Sequence, residues 1–254
     1  MNILVANDDG IEARGIRELT KALSEKANVY VCAPDTQRSA SGHGITVSKP
    51  IEAEEVPFAN AQLAFKLSGT PADCIKLGMK LLQQRNIKID MVFSGINHGG
   101  NLGTDTLYSG TVSAAIEGTI CGVPSAAVSV DSHEAEHFEY ACHLAQEVIA
   151  KAKDKMSPDT VLNINVPNIP TEKIKGLKYT RLGRREYKEF FEPLDDGSGK
   201  VKYRYSGDPV FYEGLPDTID VIAMQEGYAT ITPLQRDLTD YKLIKEVETW
   251  RIDK

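Results

Sequence analysis

Ile3-Leu4-Val5-Ala6-Asn7-Asp8-Asp9-Gly10 is an apolar run that ends abruptly in two adjacent carboxylates and a glycine. Its four apolar residues read as a strand buried on both faces, as at the centre of a parallel sheet. Two neighbouring carboxylates at the tip of such a strand are costly unless a cation lies between them. In a regular strand Asp8 and Asp9 point to opposite faces. Gly10 lets the chain turn, so both could converge on one hard cation with oxygen ligands. A polar turn with Asp9 capping the next helix explains the same residues.

Outward from this run the chain alternates. Ile16, Leu19 and Leu23 fall at helical spacing, and Val29 to Ala33 reads as a strand. A helix is expected after Pro71, with Ile75, Leu77, Leu81 and Leu82, then a strand from Ile89 to Phe93. A helix over Thr111 to Cys121 and a strand over Ala126 to Val130 follow. The fold class is therefore α/β, a Rossmann-like three-layer core around a mostly parallel sheet. Ligands of such sheets bind beyond the carboxyl ends of the strands. Asp8 and Asp9, Pro34 to Gly44, and Ser94 to Gly110 all follow strands, which favours one shared site.

The last third changes character. Tyr179 to Glu192 and Lys200 to Tyr205 read as two strands joined by the turn cluster Asp195-Asp196-Gly197-Ser198-Gly199. Such an arm has little core of its own, so it is expected to pack on a partner subunit; a solvated hairpin is the alternative. Leu238, Tyr241, Ile244 and Val247 suggest a terminal helix. The expected division is a catalytic core over 1–177, with a contribution from 218–235, and an oligomerisation region over 178–254.

The formal net charge of -7 argues against a polymeric nucleic-acid partner. No apolar run reaches the length of a membrane span, and no leader pattern precedes the first strand. Cys32, Cys74, Cys121 and Cys142 are widely separated in apolar contexts and read as reduced thiols rather than bridges or zinc ligands. The expected location is the cytoplasm.

Three loops carry candidate chemistry. In Pro34 to Gly44, Ser39 and Ser41 offer hydroxyl oxygens, Arg38 offers charge, and His43 reads as a loop residue rather than a general acid. Ser94 to Gly103 holds four glycines in ten positions, a density that lets backbone N–H groups form an anion nest. Within it, Asn97 carries an amide oxygen suited to a hard cation. At Tyr108-Ser109-Gly110-Thr111 a loop becomes a helix that Ser109 or Thr111 would cap, and its free N–H groups suit a phosphate. There is no Walker P-loop, and no G-x-G-x-x-G follows the first strand.

Taken together, these segments resemble the SurE family of metal-dependent nucleotidases. The resemblance rests on Asn7-Asp8-Asp9-Gly10 with Gly15-Ile16, Pro34-Asp35 with Arg38-Ser39, and Ser68-Gly69-Thr70-Pro71 with Asp73-Cys74. It continues through Ser94-Gly95-Ile96-Asn97, Gly99, Asn101-Leu102-Gly103 and Tyr108-Ser109-Gly110-Thr111-Val112, then Ala114-Ala115 and Glu117-Gly118. Asn163-Asn165-Pro167 and Ile231-Thr232-Pro233-Leu234 with Asp237-Leu238-Thr239 complete it. Arg14 stands where many relatives have proline, and His98 falls at a permissive position.

The resemblance implies one divalent metal ion per subunit, Mg2+ or Mn2+, held by Asp8, Asp9, Ser39 and Asn97. Asp8, Asp9 and Asn97 would be the catalytic residues, with Asn7, Gly95, Ser109, Gly110 and Thr111 facing the phosphate. The implied reaction is hydrolysis of nucleoside 5′-monophosphates, and of 3′-monophosphates, to nucleoside and phosphate. The implied assembly is a homodimer or homotetramer with exchanged C-terminal elements. Two rivals are a metal-dependent deacetylase, which would want histidine ligands, and a nucleotide-binding protein without turnover. An aspartyl-phosphate phosphatase would need D-x-D, and here Gly10 and Ile11 follow Asp9.

Overall fold

β1 (Asn2–Ala6) is fully buried from Ile3 to Ala6. The computed structural model describes the chain except residues 153–154, 195–196, 198, 211–213 and 253–254. Side chains alternate across the sheet, so Ile3 and Val5 join one apolar cluster while Leu4 and Ala6 join another. Burying one such leucine or isoleucine contributes about 1.5–3 kcal/mol.

After β1 come α1 (Arg14–Ser24), β2 (Asn28–Pro34), β3 (Ala53–Glu55), β4 (Leu63–Leu67), α2 (Pro71–Gln83) and β5 (Met91–His98). Next are α3 (Gly110–Ile120), β6 (Ser125–Val130), α4 (Glu139–Ala152), β7 (Thr160–Val166) and β8 (Leu177–Tyr179). The remainder is β9 (Tyr187–Leu194), β10 (Lys202–Pro209), α5 (Asp220–Gln225), β11 (Ala229–Gln235) and α6 (Ile244–Thr249).

The main sheet runs β3-β4-β2-β1-β5-β6-β7-β11-β8. Its central strands from β4 to β7 are parallel, and β3 and β11 run antiparallel to their inner neighbours. Ile16, Leu19 and Leu23 of α1 share a cluster with Ala141, Leu144 and Val148 of α4. Cys74, Ile75 and Leu82 of α2 join Ala114 of α3 on the other face. These are the three layers expected from the alternation. The order reverses at β1, whose neighbours are β2 and β5, so the crevice beyond β1 and β5 is the switch point.

Four local expectations change. Asp9 caps no helix: α1 begins after Ala13 and has no side-chain cap. Ser94 to His98 is not loop but the end of β5, with a register shift between Ser94 and Asn97. The hairpin begins at Tyr187, while Leu177–Tyr179 pairs with β11 at the edge of the main sheet. The terminal helix spans only Ile244–Thr249, leaving Leu238 and Tyr241 outside it. Asp195, Asp196 and Ser198 of the expected turn lie outside the described residues. Among the described residues no helix is long and apolar enough to cross a membrane.

Candidate active site

Three strand ends and one helix start meet at the switch point. Asn7 is fully buried, and its Nδ2 donates to the Gly10 carbonyl at 2.8 Å, closing the turn after β1. Gly10 has φ +97°, a conformation that glycine adopts without steric cost. The next loop is sewn to this turn by the Ile11 N–H on the Pro34 carbonyl at 2.8 Å and the Arg38 N–H on the Asp8 carbonyl at 2.7 Å.

Side chains complete the convergence. Gln37 Nε2 donates to Ser39 Oγ at 2.9 Å and lies 3.5 Å from Asp9 Oδ1, which sets the Ser39 hydroxyl beside Asp9. Asp9 Oδ2 accepts the His98 backbone N–H at 3.0 Å, tying Asp9 to the end of β5 next to Asn97. Asn97 commits its amide nitrogen to the Gly99 carbonyl at 2.7 Å, which leaves its oxygen as the group offered to a ligand. Asp8, Asp9, Ser39 and Asn97 thus share one corner.

The start of α3 presses on Asp8 from the other side. A Cβ on Gly110 would lie 2.8 Å from Asp8 Cβ, so only glycine admits this approach. Thr111 Oγ1 donates to Asp8 Oδ1 at 2.5 Å. Ser109 is the N-cap, accepting the Val112 N–H at 3.0 Å, and Thr111 is not a cap. Helix-start N–H groups and the macrodipole make this end receptive to an anion.

The glycine-rich segment differs from the nest read in the sequence. Gly95 is buried within β5, where a Cβ would lie 2.2 Å from the Val128 carbonyl oxygen; it permits close approach of neighbouring backbone. Gly103 donates its N–H to Asp220 Oδ2 at 2.8 Å. The loop between them is fastened by amides that sequence reasoning passed over as chemistry. Asn101 N–H donates to Asn165 Oδ1 at 2.8 Å, Asn163 Nδ2 donates to the Asn101 carbonyl at 2.8 Å, and Asn101 Nδ2 reaches Ser129 Oγ at 2.8 Å. The available signal was two asparagines at alternate positions of β7, whose other residues from Val161 to Val166 are apolar.

Burial pushes the Asp8 carboxyl from 3.8 up to about 6; the Thr111 hydroxyl holds it down and the Asp9 charge raises it further. Burial likewise raises Asp9, moderated by the His98 N–H and ring and by Gln37. Among the described residues no lysine or arginine pairs with either carboxylate. Asn7 Oδ1 is also buried without a hydrogen-bond partner among the described residues. Two desolvated carboxylates, a hydroxyl, an amide oxygen and an orphaned acceptor make up a donor set that fits a hard divalent cation.

A family model described as "Survival protein SurE" matches residues 3–189. The chain belongs to the SurE family. It is 45% identical over 255 residues to the "5'-nucleotidase SurE" of Heliobacterium modesticaldum, covering 98% of this chain and 92% of that one. Identity to the "5'-nucleotidase SurE" of Pelotomaculum thermopropionicum is 46% over 250 residues, with 98% and 94% covered. The crystal structure of the SurE protein from Aquifex aeolicus superposes with a TM-score of 0.85 at 38% identity, covering 98% of this chain and 99% of that one.

Proposed function

We propose that this SurE chain is a 5′-nucleotidase, hydrolysing nucleoside 5′-monophosphates to nucleoside and phosphate, with 3′-monophosphates as a second substrate class. Full-length identity of 43–46% to proteins named 5'-nucleotidase SurE supports the activity. The single observation that carries the site is the contact between the carboxylate of Asp8 and the first turn of α3. It brings a cation-seeking group and an anion-seeking helix start to the same corner.

In this reading Asp8, Asp9, Ser39 and Asn97 hold one Mg2+ or Mn2+ ion per subunit, and Asp8, Asp9 and Asn97 are the catalytic residues. When bound, the cation neutralises phosphoryl charge and activates water for attack on phosphorus. The Thr111 hydroxyl fixes the orientation of Asp8, and the His98 N–H fixes Asp9. Asn7, whose Nδ2 is held by the Gly10 carbonyl, turns its oxygen to the cation instead of donating to the phosphate. The N–H groups of Gly110 and Thr111 face the phosphate, with Ser109 keeping the helix start in register and Gly95 shaping the strand end. Their fixed dipoles stabilise charge on the non-bridging oxygens as the bond from phosphorus to the nucleoside oxygen breaks.

The functional division is a core over 1–177 with 218–235, and an arm and terminal region over 178–254. Phe191, Tyr203 and Tyr205 on the hairpin, and Leu238, Tyr241 and Trp250 near the C-terminus, are exposed. That apolar surface supports a homodimer or homotetramer that exchanges C-terminal elements. Four free cysteines support a cytoplasmic location.

The test is phosphate release from 5′- and 3′-nucleoside monophosphates, with metal-stripped protein and then with Mg2+, Mn2+ or Zn2+ restored. Release that depends on Mg2+ or Mn2+ is expected. Release undiminished by stripping would remove the cation from the site, and no release with any metal would remove the activity.

A further inference from the structure

Glu117 lies on α3 with 3% of its side chain exposed, and the phosphate chemistry above leaves it unused. Two different elements take its two oxygens: His43 Nε2 lies 2.9 Å from Oε2, and Lys76 Nζ of α2 donates to Oε1 at 2.7 Å. Burial pulls the carboxyl upward, but the hydrogen bonds from His43 and Lys76 outweigh it and hold Glu117 below the usual range. The helix has no slack here. A Cβ on the adjacent Gly118 would lie 2.3 Å from Ser125 Oγ and 2.9 Å from Val92 Cβ.

His43 sits in the segment after β2 that carries Ser39. None of residues 39–45 belongs to an apolar cluster, and Ile45 and Val47 are exposed, so hydrophobic burial does not fix this segment. Polar tethers do. The Gly42 N–H donates to the Tyr108 carbonyl at 3.1 Å, the Gly44 carbonyl accepts from Thr70 Oγ1 at 2.7 Å, and the Thr46 N–H donates to Asp73 Oδ1 at 3.1 Å. Among these, the His43 contact ends on a buried carboxylate anchored to the same helix whose first turn touches Asp8. Hydrogen bonds to a charged group are the stronger kind.

We propose that the His43–Glu117 hydrogen bond is a latch that holds the Ser39 segment against α3, making His43 a positioning residue for cation and phosphate binding. This rests on the metal-dependent reading above. Lys76 supplies an internal control, because it shares the Glu117 carboxylate but lies outside the segment.

The experiment compares His43→Leu, His43→Gln and Lys76→Met in the full chain. Three quantities are measured: the Mn2+ dissociation constant by calorimetry on metal-stripped protein, hydrogen exchange of amides 36–46, and Mn2+-dependent phosphate release. His43→Leu is expected to weaken Mn2+ binding about tenfold, the scale of one lost charge-assisted hydrogen bond. It should also speed exchange in 36–46. His43→Gln, whose amide can still donate to Glu117, should restore both. Lys76→Met should stay within about twofold of wild type, since that pair is half-exposed.

The latch is overturned if His43→Leu binds Mn2+ and exchanges like wild type, or if Lys76→Met shifts both readouts equally. Wild-type protein that binds Mn2+ but releases no phosphate would sink the nucleotidase reading, while binding and exchange still judge the latch.

Discussion

Asp8 combines a structural cost with the cation-binding use proposed for it. Its native value of about 6 lies above the ordinary 3.8, so the native state holds this proton more tightly than the unfolded chain does. The stability of metal-free protein should therefore fall as pH rises between those two values, and the full penalty should stand above the higher one. The difference corresponds to about 3 kcal/mol. Asp8→Asn should raise the urea midpoint at pH 8 in chelator, with a gain in unfolding free energy of up to that amount, while abolishing phosphate release. An unchanged midpoint would mean that Asp8 carries no burial penalty. Protons also compete with a cation, so Mn2+ affinity should drop as pH falls through about 6. Gly110→Ala tests the helix contact, because its methyl group must displace Asp8. It should weaken Mn2+ binding at least tenfold with little change in overall helicity, following the usual 1–3 kcal/mol cost of overpacking, and wild-type affinity would refute the contact's role.

At the scale of elements, α1 meets the end of β5 without an intervening side chain. A Cβ on Gly15 would lie 1.9 Å from the Ile96 carbonyl oxygen, with backbone on both sides. Gly15→Ala should cost more than about 3 kcal/mol or prevent soluble expression. A melting temperature within about 2 °C of wild type would contradict this packing. The same strand end shows why some elements were legible in the sequence and others were not. β1 announces itself as a short continuous apolar run, and α1 and α2 by apolar residues at helical spacing. The end of β5 does not, because Gly95 reads locally as a turn. Its small size instead answers a neighbouring carbonyl on β6, a tertiary demand without a local signature. β8 is too short to show alternation. Leu238 and Tyr241 keep helical spacing without a helix, since no described core surface receives them. That Asp8, Asp9, Ser39 and Asn97 lie in one corner was legible because their segments sit at or beyond strand ends, and the family resemblance picked out the four. The Gln37 bridge, the Asn101 clasp and the Glu117 latch depend on pairs far apart in the chain, which spacing alone does not reveal.

At the scale of the whole molecule, the exposed apolar residues after Asp237 lie far along the chain from the site, whose candidate residues end at Thr111. Removing 238–254 should lower the mass seen by light scattering while preserving most phosphate release per chain. An unchanged mass would assign the assembly to the hairpin instead. The path of the arm gives a different kind of consequence. It leaves the core after β8 and returns through α5 to β11, and the two ends are stitched by the Arg181 N–H on the Thr218 carbonyl at 3.0 Å and the Asp220 N–H on the Arg181 carbonyl at 3.1 Å. Residues 182–217 are thus an excursion whose doorway is already shut behind it. A lineage could lengthen, trim or exchange the hairpin beyond Tyr187 without re-registering a strand of the main sheet, provided Arg185 keeps its hold on the Gly100 carbonyl at 3.3 Å and Tyr187 its hold on Asp105. Quaternary form could then drift on its own evolutionary clock, while the catalytic end of the sheet stays unaltered.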